Sequence, residues 1–426
     1  MAELTHVEIE DIHTLPLADL NPARRDRFAK ATELPVFARL RREDPVHFTP
    51  DSEFGPYWSL TLWEDIRAVG NNYRDFTSTE NIDLKSIEEK IKLDKALKAL
   101  GHERRKNVGF ITMDPPEHTQ HRKAVTPAMG PSSLARMEPL LRERAGMILD
   151  GLPIGKPFDW VEHVSKELTA TVLATLFDFP FEDRRKLTYW SDMLMFEPGR
   201  GPVKSWEHKA QETIKCYQAF EALWEKRRRG PPGHDLISML AHHPETCDMT
   251  LEQFRGTIVL LIIGGNDTTR NTISGSVYWL DKYPQEFAKL RANPKLVASM
   301  VSETLRFQTP ISFMSRVANR DVEIRGKTIR EGDRVLMWYL SGNRDATAID
   351  DPDTFCIDRD RARRHLSFGV GVHACVGSRV AEMQLAIIWE EILKRFTAIN
   401  VLDEPERNYS NFLHGFENLN VIIPER

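Results

Sequence analysis

The chain has 426 residues, 41% hydrophobic and 28% charged, and its 58 basic side chains stand against 63 acidic ones for a net charge of -5. That length supports one large core, the hydrophobic content excludes a disordered scaffold, and the balanced charge excludes a surface given over to nucleic acid. Four cysteines, Cys216, Cys247, Cys356 and Cys375, with no CxxC pair, exclude a disulfide-built scaffold and point to a reducing compartment.

The first 40 residues carry charge throughout and lack the basic start, apolar stretch and small-residue cleavage site of a signal peptide, so the expectation is a cytoplasmic protein. Pro16, Pro22, Pro35, Pro45 and Pro50 punctuate short helices and turns, with residues 1 to about 30 as a flexible N-terminal segment. Val46–Phe48 and Tyr57–Leu60, separated by Gly55 and Pro56, predict a hairpin, and an amphipathic helix follows from Thr61. A charge-dense, helix-permissive stretch runs from Lys85 to Lys106, and Asp114-Pro115-Pro116 breaks the chain before His118–Thr126.

From Pro131 to Phe177 the pattern is helical with a turn around Gly151 to Pro157, and it continues through Asp183–Phe196 and Val203–Arg229. Thr250–Leu280 predicts the longest helix, roughly 45 Å at 1.5 Å per residue, crossing the interior. The apolar run Ile258–Ile263 is far shorter than the roughly 20 residues a bilayer span needs, so no stable membrane insertion is expected. Strands are expected at Ser315–Ala318, Val322–Ile324 and Arg334–Trp338, then a turn-rich stretch from Asn343 to Ser367 and a helix over Val376–Phe396. No repeat or composition shift marks a boundary, which predicts a single domain over 1–426, mainly α with small β-sheets.

The strongest local signal is Phe368-Gly369-Val370-Gly371-Val372-His373-Ala374-Cys375-Val376-Gly377, directly before a helix. A thiolate at Cys375 would sit where unpaired helix N–H groups stabilise negative charge, and such a sulfur can ligate iron. A buried free cysteine beside a structural loop is the competing reading, and the glycine pattern weighs against it. Gly264-Gly265-Asn266-Asp267-Thr268-Thr269 interrupts the apolar middle of the long helix, where a hydroxyl bonding backwards can open a groove. Asp267 and Thr268 there form either a proton-delivery pair or a hydrogen-bonded kink without catalysis. Glu303 and Arg306, three apart, share one helix face as an ion pair. His118 and Arg122, four apart, point together at an anion; with Arg316 and His373 they suit the two propionates of a heme.

With these motifs in this order the chain resembles a soluble bacterial cytochrome P-450, a heme-thiolate monooxygenase, across about residues 30 to 420. The resemblance rests on Phe368–Gly377, Gly264–Thr269 and Glu303-Thr304-Leu305-Arg306. It implies a mostly helical, triangular heme domain with heme b (iron protoporphyrin IX) between the helices that carry Thr268 and Cys375. Cys375 is then the proximal iron ligand, Asp267 and Thr268 the distal proton-delivery pair, and Glu303 with Arg306 the support of the cysteine loop. His118, Arg122, Arg316 and His373 are the expected propionate partners. Ala374 departs from many bacterial members, where a basic residue precedes the cysteine.

A closer similarity, to bacterial alkane and fatty-acid terminal hydroxylases, is carried by Met113–His118, Phe177–Arg185 and Gly264–Asn271. Leu260, Leu261, Gly264, Ile311, Phe313 and Met314 are the expected apolar pocket, with Met193, Leu194 and Phe412 from mobile elements. The implied reaction puts one atom of dioxygen into a terminal C–H bond of a medium-chain alkane or fatty acid. Electrons are expected from a [2Fe-2S] ferredoxin fed by an NAD(P)H-dependent ferredoxin reductase, a separate chain because the heme domain uses nearly all the residues. Arg361, Arg363, Arg364 and Arg379 would favour such an acidic partner. The alternatives are a hydroxylase of a terpenoid or other compact hydrophobe and a non-catalytic heme ligand-binding protein.

Overall fold

Before the first sheet, Arg25–Ala29 (α1) and Glu33–Glu43 (α2) wrap the surface, α2 burying Val36, Phe37 and Leu40 on one stripe. The computed structural model describes residues 12–80, 82–102 and 108–425, so the first 11 residues of the expected flexible segment and positions 103–106 of the charge-dense stretch lie outside the described residues.

The hairpin forms where alternation placed it: Val46–Thr49 (β1) pairs antiparallel with Tyr57–Leu60 (β2), Val46 opposite Leu60. Trp63–Asn71 (α3) follows, then the two-residue Phe76–Thr77 (β3). Ile87–Ala99 (α4) starts on a reciprocal cap in which Ser86 Oγ accepts from Glu89 N–H (3.1 Å) and the Glu89 carboxylate accepts from Ser86 N–H (3.2 Å). Glu117–Val125 (α5) and Pro131–Asp150 (α6) come next, then Phe158–Asp159 (β4), Lys166–Phe177 (α7), Arg185–Met195 (α8), Trp206–Arg229 (α9) and Leu236–His242 (α10).

Leu251–Lys282 (α11) is one continuous helix of 32 residues. Thr250 and Gln253 close its first turn, Thr250 Oγ1 accepting from Gln253 N–H (3.2 Å) and Gln253 Oε1 accepting from Thr250 N–H (2.9 Å). The expected interruption at Gly264–Thr269 is corrected: the ladder runs through it. Thr268 Oγ1 donates to Gly264 O (2.9 Å) and Thr272 Oγ1 to Thr268 O (2.8 Å) beside the helical bonds, and α7 packs so closely that a Cβ on Gly265 would lie 2.6 Å from Leu173.

Pro284–Ala292 (α12) and Val297–Gln308 (α13) lead to Met314–Ala318 (β5), Val322–Ile324 (β6), Lys327–Ile329 (β7) and Arg334–Met337 (β8). Tyr339–Gly342 (α14), Ser378–Arg395 (α15), Asn400–Val401 (β9) and Asn420–Ile422 (β10) complete the order. The sheets run β1-β2-β8-β5-β3, β4-β10-β9 and β6-β7. Leu141 of α6, Leu173 of α7, Ile262 of α11, Leu305 of α13 and Ile388 of α15 belong to one apolar core, which makes α11 the central beam. The architecture is mainly α with small sheets, as expected. Among the described residues no helix is long and apolar enough to cross a membrane.

Candidate functional site

The loop before α15 is built around its cysteine. Cys375 N–H donates to Phe368 O (2.7 Å) and Gly369 N–H to Leu366 O (2.7 Å), closing two successive, overlapping turns. Gly371, at φ +70°, lies against α3 so tightly that a Cβ would come within 2.4 Å of Gly70 O. The N–H groups of Gly377 and Ser378 point at the sulfur; burial pushes the thiol up while these amides and Arg122 pull it down. Cys375 nevertheless has accessible surface. Protein mass around it is deep enough to desolvate it, so that surface faces an internal hollow. Cys216, by contrast, is sealed in the α9 core with burial alone acting on it, and Cys356 and Cys247 sit beside Asp358 and Pro244 O.

A buried ion pair holds the chain that leads into this loop. Glu303 and Arg306 meet in a fork, Nε to Oε2 at 2.8 Å and Nη2 to Oε1 at 2.7 Å. Arg306 also donates to Asn343 O (2.8 Å), Pro352 O (2.7 Å) and Thr354 O (3.1 Å), while Glu303 Oε1 accepts from Cys356 N–H (2.9 Å). Asn343 then accepts from Leu366 N–H (2.7 Å), and Ser367 Oγ donates to Leu305 O (2.6 Å). The pair therefore fastens residues 343–367 to α13. Arg359, 3.3 Å from Glu303 Oε2, is a third member that spacing gave no reason to select.

His118, Arg122, Arg316 and His373, from three separate stretches of the chain, converge. The rings of His118 and His373 are 4.3 Å apart, and both nitrogens of His118 and Nδ1 of His373 are buried without a partner. Burial, then Arg122 and Arg316, push the His118 imidazole down to about 4, with Asp114 opposing. Burial, Arg316, His118 and Arg122 take His373 down to about 2. Arg122 and Arg316 are themselves held down by burial. Asp114 is engaged by Ser78 N–H (3.0 Å) and Thr77 Oγ1. Ser78 Oγ also meets His373 Nε2 at 3.0 Å, a contact the sequence gave no sign of. Orphaned imidazole nitrogens and two guanidinium groups held down by burial in one place fit the two propionates of heme b, with Cys375 nearby as the sulfur donor.

Across from the loop, α11 and α15 pack on one another. In its middle, α11 has accessible surface at Leu260, Gly264 and Thr268, about one turn apart on one face, with Ile263 and Gly265 beside Gly264 partly accessible as well. A Cβ on Gly264 would meet nothing within 4 Å, so the backbone there borders open space. Asp267 turns the other way: Oδ2 accepts from Ser191 Oγ (2.9 Å), and Oδ1 accepts from Asn266 Nδ2 (3.0 Å) and pairs with Arg270 (2.9 Å). Burial pushes its carboxyl up against the pull of Arg270. Asp267 and Thr268 thus adjoin in sequence but have separate bonding partners. Arg270 also pairs with Asp192 (2.7 Å), and both line a cavity of about 480 Å³ on that far side.

Of the expected pocket residues, Ile311, Phe313 and Met314 join Phe412 in a second apolar cluster, with Leu84 and Met195. Phe313 lies between Trp338 (4.7 Å) and Phe412 (5.4 Å) and is fully buried, a backing residue with no surface to offer. Leu261 points into the main core, whereas Leu260 is half-buried. Met193 is packed with Phe196 and Val203, and Leu194 is half-buried.

A family model described as Cytochrome P-450 matches residues 203–419. Linalool 8-monooxygenase of Pseudomonas putida is 35% identical over 401 residues, covering 93% of this chain and 97% of that one. A methyl-branched lipid omega-hydroxylase of Mycobacterium tuberculosis is 26% identical, covering 96% and 95%. A solved structure from Sphingomonas sp. PAMC 26605 superposes with a TM-score of 0.85 at 40% identity, covering 94% of this chain and 98% of that chain.

Proposed function

The chain belongs to the cytochrome P-450 family, and from that premise we propose that it hydroxylates the terminal C–H bond of a medium-chain alkane or fatty acid. It is a monooxygenase with heme b as cofactor. One substrate C–H bond and dioxygen, with two electrons and two protons, become an alcohol and water. The heme, when bound, supplies oxygen activation and C–H oxidation. The observation that supports the heme-dependent chemistry is a sulfur faced by two amides near Arg122, Arg316 and the unsatisfied ring nitrogens of His118 and His373.

In this reading Cys375 would hold the iron, and His118, Arg122, Arg316 and His373 would hold the propionates. Thr268 Oγ1, bonded to Gly264 O in a face that borders the hollow, is placed to pass a proton and to hold a water there. Asp267 supplies protons from the far side, since its partner Arg270 lines the outer cavity together with Asp192, the second carboxylate on that guanidinium. The change needed is a rotation of Asp267 toward Thr268. Thr268→Ala is expected to divert electrons to peroxide or water, lowering product formed per NAD(P)H by about tenfold or more. Fully retained coupling would remove the residue from proton delivery.

In this reading Leu260, against the main core, and Ile311 and Met314, of the second apolar cluster, would wall the hollow and position a chain end rather than recognise polar groups. A terpenoid substrate is the second reading, favoured by the similarity to a linalool 8-monooxygenase. A reconstituted turnover assay on linear alkanes, fatty acids and terpenoids, with product positions determined, separates the two. Internal hydroxylation of every linear chain would defeat the terminal assignment.

For electrons, a [2Fe-2S] ferredoxin fits the exposed Arg361, Arg363, Arg364 and Arg379 near the cysteine loop. Charge reversal at Arg363 and Arg364 should slow reduction by an acidic ferredoxin on the order of tenfold at low salt. Rates unchanged across ionic strength would reject that docking face.

A further inference from the structure

The two faces of α4 have different surroundings. Inward, Leu93, Ala96 and Leu97 pack with Ala210 and Trp206 of α9. Glu89, Lys90 and Leu93 also form one wall of a cavity whose other walls include Met195, Phe196 and Phe412. Through Leu84, Met195 and Phe412 that cavity backs onto the apolar cluster holding Ile311 and Met314. Outward, α4 leaves Ile87 58% and Ile91 62% exposed, four residues apart on one stripe. Lys92, Lys95 and Lys98 are exposed on the same side, where the acids are Glu88, already paired with Lys92 (2.6 Å), the half-exposed Asp94, and Glu207 of α9, whose carboxylate feels Lys95. Across the cavity Tyr409, 38% exposed, lies under the guanidinium of Arg200 at 4.6 Å, and both residues line the same opening.

We infer that this rim is a peripheral docking surface for an anionic lipid bilayer. Ile87 and Ile91 enter the boundary between headgroups and acyl chains, Lys95 and Lys98 meet the headgroup phosphates, and the cavity then opens toward the bilayer. A chain of net charge -5 is repelled by such a membrane overall, so local cations beside exposed isoleucines select one orientation. A second copy of this chain fits worse, because a two-fold axis through the patch sets the same lysines against one another. Attachment is peripheral, as no described helix is long and apolar enough to cross. The inference goes beyond the hydroxylase reading and holds for any hydrophobic substrate.

The test is co-sedimentation of the holoprotein with phosphatidylcholine vesicles, with and without about one-third phosphatidylglycerol, at low and high salt. Binding is expected on anionic vesicles and should fall with salt. Ile87→Ser with Ile91→Ser, and Lys95→Glu with Lys98→Glu, should each weaken it on the order of tenfold. Met147→Ser, at an exposed apolar side chain on α6, should leave it unchanged. An unaltered heme spectrum in every variant confirms that the folded holoprotein is being compared. Equal binding to neutral vesicles, or double variants that bind like the parent, overturns the inference. So does a concentration-dependent dimer lost in the isoleucine variant without any vesicle binding, which assigns the patch to a second copy.

Discussion

Cys375→Ala, produced with ample heme supply, is expected to lose the thiolate form of the reduced carbon-monoxide spectrum and all turnover above background. The loop does not depend on the sulfur for its shape: the bonds from Cys375 N–H to Phe368 O and from Gly369 N–H to Leu366 O belong to the backbone and survive the substitution. Folding should therefore be retained while iron loses its anionic sulfur, the group that pushes electron density toward oxygen-bond cleavage in this family. Cys216→Ala and Cys356→Ala serve as controls. Cys216 lies in an apolar core where the thiol is held up by burial alone, and Cys356 Sγ faces the Asp358 carboxylate at 3.2 Å. An unchanged carbon-monoxide spectrum in Cys375→Ala, or its loss in Cys216→Ala instead, would transfer the ligand assignment away from the loop.

Glu303→Ala should be the most destabilising single change outside the hollow. It leaves the Arg306 guanidinium fully buried and unpaired, deprives Cys356 N–H of its acceptor and releases Arg359. Breaking a buried pair from one side costs about 3–5 kcal/mol, much of it the desolvation of the charge left behind. Arg306→Lys should fall short of rescue, since one ammonium cannot make the fork to Glu303 and also reach Asn343 O, Pro352 O and Thr354 O. Differential scanning calorimetry and heme content per chain measure both effects. Wild-type heme loading and an unshifted midpoint in Glu303→Ala would mean that residues 343–367 are held by something else.

The parts of this architecture that rest on local pattern were legible from residues alone. The hairpin of β1 and β2, the long α11 and the cysteine loop each carry their signal within a few neighbours: alternation, a capped apolar run, glycines before a helix. What escaped depends on distant partners. The two-residue β3 exists because Phe76 and Thr77 pair with Ala318 and Val317, about 240 positions away, and no window around residue 76 contains that fact. Ser78 and Arg359 were missed for the same reason. His118 and Arg122 were found through their one-turn spacing, whereas Arg316 and His373 are joined to them only by the fold. The interruption expected at Gly264–Thr269 failed because side-chain hydroxyls there bond to carbonyls that keep their helical partners, so they add to the ladder rather than replace it.

The convergence of His118, Arg122, Arg316 and His373 links pigment to polypeptide abundance. Without a dianion opposite, the chain must desolvate two guanidinium groups and leave imidazole nitrogens unsatisfied, so the colourless form sits higher in free energy than its contacts alone suggest. A ligand present at a thousandfold over its dissociation constant adds about 4 kcal/mol to a fold. Cells starved of iron or porphyrin should therefore clear this protein by proteolysis instead of storing it as an idle shell.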